Sequence, residues 1–162
     1  MREGQLVNHM DEKLKKQFAK TKLLVSKEEF SVVGLPAVAD VQIGGEGFSA
    51  VIKERGITTL VLPVEKWSTI SGSVKKAVVE SPFHVITFSV PSDWSVPGYL
   101  AEVSRVLTSE KVNFRAISAH SYEHILIRKE DKERAVKALE RLITDCKKGE
   151  EEPQQGPGAQ EG

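Results

Sequence analysis

The stretch Pro91–Asn113, PSDWSVPGYLAEVSRVLTSEKVN, holds the residues best spaced to bind something. A β-rich run, His84–Val90, stops at Pro91. A polar turn follows, Ser92-Asp93-Trp94-Ser95, and Pro97-Gly98 then opens an amphipathic segment. The first N–H groups of a helix have no partner within it and lie at the positive end of its dipole. A strand, a tight polar loop and a helix start therefore make a seat for a carboxylate. Ser95 or Asp93 is expected to cap that helix, and Gly98 to leave room for close approach of the backbone. The same residues also describe a plain strand-to-helix connection with a good cap. Taken alone, the local pattern favours that simpler reading.

A second group lies further on. His120 and His124 are four positions apart, with Glu123 between them and His84 upstream. On a helix that spacing would suggest a metal pair. Here the two histidines flank the tip of an expected hairpin, and no second Cys/His cluster accompanies them, so solvated or pocket-lining rings are the better reading. No metal and no cofactor is expected. Nucleophilic catalysis has no support either, because the chain lacks a Gly-x-Ser-x-Gly elbow and a cysteine in a triad context. Gly44-Gly45-Glu46-Gly47 is not a phosphate loop, since no Gly-Lys-Ser/Thr follows it. The chain is therefore not expected to be an enzyme.

Composition narrows the partners. Lys+Arg and Asp+Glu number 23 each among 162 residues, so no net charge draws the chain to nucleic acid or an anionic membrane. A hydrophobic content of 40% is that of a globular protein, and no apolar run approaches the roughly 20 residues of a membrane span. The N-terminus has no apolar signal core, and Cys146 is the only cysteine. Both fit a cytoplasmic setting. RNA binding would need exposed sheet aromatics with basic neighbours. Aromatic content is only 6%, and Phe88 and Phe114 are expected in the core. An acylphosphatase-like loop would need an arginine, and Ser92–Val96 has no basic residue.

The elements that must position these residues follow from periodicity. Met1–Lys20 is polar, with a weak apolar stripe of Leu6, Val7, Met10, Leu14 and Phe18, and is expected to be a frayed extension. Leu23–Val25 and Phe30–Leu35 predict strands with a turn at Ser26–Glu29, and Val38–Gly47 a turn. Phe48–Lys53 and Ile57–Leu62 predict a hairpin turning at Glu54-Arg55-Gly56. Val64–Ser73 is ambiguous and ends in a linker-like Ser71-Gly72-Ser73; Val74–Glu80 suits either strand or helix, and Ser81-Pro82 should break it. Val96, Leu100, Val103 and Leu107 mark one apolar helix face. Phe114–His120 and His124–Arg128 predict another hairpin, with Ser121-Tyr122-Glu123 near its tip. A last helix is expected over about Glu130–Lys147, with Val136, Leu139, Leu142, Ile143 and Cys146 inward and Glu130/Arg134 and Glu133/Lys137 as ion pairs. From Gly149 the chain has no large apolar anchor and is expected to be disordered. The two later hairpins overlay at an offset of 66, Phe48 on Phe114 and Leu60 on Leu126, which suggests two related modules.

Strand, helix, hairpin, helix is the order of a ferredoxin-like half-fold. Within it, Val96-Pro97-Gly98-Tyr99-Leu100, Val103, Leu107, Val112-Asn113 and Ala116-Ile117-Ser118 resemble an ACT domain. SPFHVITFSV, VPGYLAEVSRVL and AISAHSYEHILI resemble the tandem-ACT proteins, which are similar to the regulatory region of aspartate kinase and to CASTOR-type arginine sensors. EEFSVVGLP and FSAVIKERGITTLVLP resemble the shortened first ACT unit of that group. The likeness spans roughly Lys22 to Leu142.

The resemblance implies an α+β, ferredoxin-like βαββα fold with two ACT-like units and antiparallel sheets. It would comprise an extension over 1–20, a shortened unit over 21–75, a second unit over 76–148 and a tail over 149–162. It further implies a regulatory module that binds an amino acid without catalysis, passes occupancy to a partner protein and forms a homo-oligomer. The alternative is an oligomerisation module with a non-functional pocket. Sedimentation at high protein concentration reports the self-association directly. The ligand site carried over from the family is the loop Ser95, Val96, Pro97, Gly98 and Tyr99, facing the strand end Ser118, Ala119, His120 and Glu123. In this arrangement Glu123 receives an ammonium. The chain differs from the sensors in having Glu123 where they usually carry Asp. It also has no acid at Gly56-Ile57, the equivalent place in the first hairpin, and a bulky Tyr99 beside the pocket.

Overall fold

A computed structural model of the chain describes residues 7–36 and 41–151. The elements run α1 (Glu12–Lys20), β1 (Lys22–Val25), β2 (Phe30–Pro36), β3 (Ala50–Glu54), β4 (Ile57–Pro63), α2 (Val64–Ile70) and a 3-10 turn (Ser71–Ser73). They continue with β5 (Val78–Ser89), α3 (Tyr99–Ser109), β6 (Phe114–Ser118), β7 (Glu123–Arg128), a 3-10 turn (Lys129–Asp131) and α4 (Lys132–Glu151). The strands form one antiparallel sheet ordered β3-β4-β2-β5-β7-β6, with β1 also paired to β5.

The long strand β5 joins the two halves. β2 pairs with its first part, from Phe83 back to Val78, and β1 with its last part, from Ile86 to Ser89. β7 takes the opposite edge, from Phe83 to Phe88. One half then reads β3-β4-β2-β5 and the other β6-β7-β5-β1, the same ferredoxin-like order used twice, with β5 shared. The first half is short because no helix is described between β2 and β3. The β1 and β2 strands were expected to be separated by a turn, and they lie end to end along β5. Ser26 fills the break: its N–H donates to the Val85 carbonyl at 2.8 Å and its hydroxyl accepts from the Val85 N–H at 3.0 Å.

Alternation along β5 sorts the core. Ile86 and Phe88 face the layer of α1, α3 and α4, where Phe18, Leu107, Ile125, Ile127, Leu139 and Leu142 are buried. Phe83 and Val85 face the other way, with Phe30, Val32, Val61 and Leu126. Val33, Leu35, Leu60 and Leu62 pack beneath Trp67 and Ile70 of α2.

Several expectations are corrected. The N-terminal segment is not frayed from residue 7 onward. Val7, Met10, Leu14 and Phe18 recur at helical steps and are buried, and Asp11 caps α1 by accepting from the Lys13 N–H at 2.8 Å. The charged residues simply occupy the outer face. Ser81-Pro82 does not end a strand. β5 runs through it where the β2–β5 register shifts, a bulge that spares proline a ladder N–H. Val64–Ser73 is helical, and α4 continues to Glu151, past the expected end at Lys147 and into the expected tail. Arg134 pairs with Asp131 and not with Glu130. The Phe48/Phe114 overlay is also out of register. Phe114 faces Ile127, and the residue placed equivalently in the first hairpin is Ala50, which faces Val61. Residues 1–6, 37–40 and 152–162, which carry parts of the expected extension, turn and tail, lie outside the described residues. No described helix is long and apolar enough to cross a membrane.

Candidate ligand-binding site

The end of β5, the start of α3 and the tip of the β6–β7 hairpin enclose a cavity of about 630 Å³. Hydrogen bonds set its frame. Asp93 Oδ1 accepts from the Ser95 N–H at 2.8 Å, and the Asp93 carbonyl accepts from the Val96 N–H at 3.0 Å, which folds the loop into a tight turn. The Ser92 N–H donates to the Ser121 carbonyl at 3.2 Å, tying this loop to the hairpin tip. The Gln17 amide of α1 donates to the Pro91 carbonyl at 2.7 Å. The hairpin tip is wide: Ser118 pairs with Glu123, and the Ala119 N–H closes the loop on the Tyr122 carbonyl at 3.1 Å. In the first half, Glu54 pairs with Ile57 across a two-residue turn.

Of the residues expected at the site, Val96, Pro97, Tyr99, Ser118, Ala119, His120 and Glu123 line this cavity. Ser95 and Gly98 do not. Neither Ser95 nor Asp93 caps α3. Its N-cap is Gly98, with no side-chain cap bond, and the Asp93 carboxylate is engaged within its own turn. Gly98 has φ +95°, a left-handed conformation that suits glycine, and a Cβ there would meet Leu14 Cδ2 at 3.4 Å. Its glycine therefore serves the backbone and the seat of α1, and not close approach to a ligand. Gln17, Phe88, Val90, Ser92, Asp93 and Trp94 also line the cavity and were not expected there. The buried stripe of α1 was the available signal for Gln17. The loop string itself pointed to Ser92, Asp93 and Trp94.

The wall is mainly apolar, with its polar groups set at particular points. Glu123 Oε2 accepts from the Ser118 hydroxyl at 2.6 Å. Tyr99 is stacked on Phe18 at 4.2 Å between ring centroids, meets Phe88 edge-on and hydrogen-bonds the Thr21 hydroxyl at 2.8 Å. Burial pushes the Tyr99 phenol far above its ordinary pKa, so it stays neutral and acts as wall. The Ser95 hydroxyl and N–H hold the Asp93 carboxyl below its ordinary pKa. Burial likewise drives the Cys146 thiol up to about 12, which leaves it unreactive.

The histidines do not converge. His84 is buried beside Ser26, whose carbonyl lies 3.2 Å from its Nδ1. His124 packs against Phe48 and meets the Thr87 hydroxyl at 2.8 Å, on the sheet face opposite Ile125 and Ile127. Among the described residues no group of three His, Cys, Asp or Glu side chains is placed to hold a metal ion. Burial lowers the His124 pKa below 6.5, with Glu123 acting weakly against it. On unfolding the ring is hydrated and takes a proton near pH 6.5, so between the folded value and 6.5 the unfolded chain holds more protons. His124 then favours folding above about pH 6.5, and that contribution is lost as pH falls through the folded value. Urea midpoints of a His124→Gln variant should fall less between about pH 7.5 and 5.5 than those of the parent. Parallel pH profiles would contradict this.

In sequence, residues 78–141 match the family described as the ACT domain. Over that segment the chain resembles an ACT domain. The matched segment includes β5, α3, β6 and β7, and with them the elements that frame the cavity. No curated protein matches the chain. Among solved structures, an Agrobacterium tumefaciens protein from a structural genomics programme aligns with TM-score 0.64 at 17% identity, over 76% of this chain and 89% of its own. A Vibrio cholerae protein described as a possible transport protein aligns with TM-score 0.59 at 20% identity, over 80% and 95%. The regulatory subunit of aspartate kinase from Thermus flavus aligns with TM-score 0.53 at 12% identity, over 75% and 96%. At these identities the likenesses concern the fold alone.

Proposed function

We propose that this ACT-like protein binds a free amino acid in the β5–α3 cavity and passes occupancy to a partner, with no reaction of its own. The observation that carries this reading is the cavity itself. About 630 Å³ is in the range of small-molecule sites, and the wall combines apolar surface with a few fixed polar groups. Glu123 receives the ammonium, where a charge-assisted hydrogen bond contributes roughly 1.5–3 kcal/mol. The carboxylate lies toward Tyr99 at the start of α3, where backbone N–H groups lack helical partners, with Val96 and Pro97 as apolar wall beside it. Ser118, Ala119 and His120 close the opposite side, and Ser95 and Gly98 hold the loop from behind. The outer strands β3 and β6 each have an open edge through which a partner or a second copy can be engaged. Resemblance to a regulatory subunit of aspartate kinase supports the regulatory part of the reading.

Melting curves against each of the twenty amino acids test the reading. At about 100 times its dissociation constant a ligand should add roughly 2.7 kcal/mol of stability. At least one amino acid should raise the melting temperature, and Glu123→Gln should reduce that rise. If none of the twenty moves the parent, the binding reading falls, and the oligomerisation module takes its place.

A further inference from the structure

The charges around the cavity are one-sided. Among the described residues its wall carries two carboxylates, Asp93 and Glu123, and one imidazole, His120, but no lysine or arginine. Lys13 acts on Asp93 through space but does not line the cavity. Glu123 uses Oε2 for the Ser118 hydroxyl, and among the described residues Oε1 has no hydrogen-bond partner. Asp93 is held ionised by its own turn. At the mouth stands Trp94, whose side chain is fully exposed at 102% of its reference area and makes no ring contact among the described residues. An indole face left open beside carboxylates attracts a cation through its quadrupole. A bound carboxylate, by contrast, meets no lysine or arginine among the described lining residues, only the His120 imidazole, and is repelled by both acids.

We propose that the cavity selects cationic amines and guanidines, and that a carboxylate on the ligand is dispensable. This rests on the reading of the cavity as a ligand site and changes what the site recognises. Glu123 takes one cationic group, and Asp93 and Trp94 take a second positive group at the mouth. An anionic amino acid is excluded by the same charges.

Calorimetric titration with matched probes tests this: agmatine against arginine, cadaverine against lysine, and glutamate as the anion. Agmatine and cadaverine should bind at least as tightly as their parents and up to about tenfold tighter, because removing one negative charge relieves the repulsion. Glutamate should not bind. Raising salt should weaken agmatine several-fold, by an amount on the order expected for partly exposed charges. Glu123→Gln should weaken agmatine about tenfold, and Trp94→Ala about threefold. Glu123→Gln is isosteric and Trp94 is exposed, so melting without ligand should match the parent and show both variants folded. Arginine binding without agmatine binding would overturn the inference and leave the amino-acid reading standing. So would glutamate binding best, or Glu123→Gln binding agmatine like the parent. If no probe binds, the inference falls, and the amino-acid reading is decided by the melting curves with all twenty.

Discussion

Replacing Phe18 with alanine should lower stability by about 3–5 kcal/mol, the usual cost of emptying a large aromatic site in a core. Phe18 is completely buried and belongs to the main hydrophobic cluster, between α1 and the layer of α3, α4 and the sheet. Its ring also supports the site, because it stacks on Tyr99 at 4.2 Å, and Tyr99 lines the cavity. The variant should therefore lose ligand-induced stabilisation along with intrinsic stability. Equilibrium urea unfolding gives the first quantity and melting with ligand the second. A cost below about 1 kcal/mol, the range of peripheral contacts, would mean that α1 is an accessory element after all.

Gly98→Val should cost roughly 1–3 kcal/mol, because a β-branched residue would be held in a left-handed conformation at φ +95°. The added side chain points toward the end of the Leu14 side chain of α1, which it would meet at contact distance, so the backbone strain is the main cost. Binding should weaken through displacement of Tyr99, the first residue of α3, and not through filling of the cavity. Gly98→Asn tests the strain, since asparagine tolerates this conformation far better than valine. It should retain more stability than Gly98→Val by about 1 kcal/mol. Equal melting temperatures for the parent and the valine variant would refute this account of the glycine.

Much of the fold could be read because its strands obey a period of two and its helices a period near 3.6. The stripe Val103 and Leu107 is buried as its spacing requires, and so is Leu139 with Leu142. Misreadings came where local signals compete with long-range pairing. Pro82 looks like a break because proline lacks a donor, but a bulge against β2 absorbs it. The α1 segment looks solvated because its mean composition is charged, but burial depends on the stripe and not on the mean. Of the residues that the family likeness named, Val96, Pro97, Tyr99, Ser118, Ala119, His120 and Glu123 line the cavity, and Ser95 and Gly98 do not. The direction of Gly98 was not legible, since only the packing of α1 decides what stands opposite a glycine. Gln17 was hidden for the same reason: its bond to the Pro91 carbonyl spans 74 positions.

The central claim is that ligand occupies the corner between β5, α3 and the β6–β7 hairpin. Amide chemical-shift mapping, with the amino acid that gives the largest melting shift, tests it most directly. Saturation should move the resonances of Tyr99, Ser118, Ala119, His120 and Glu123 most, with smaller changes at Gln17 and Ser92. The first hairpin, around Arg55 and Gly56, should be unmoved. Perturbations centred on that first hairpin, or none near Tyr99 and Glu123 at saturation, would contradict the account.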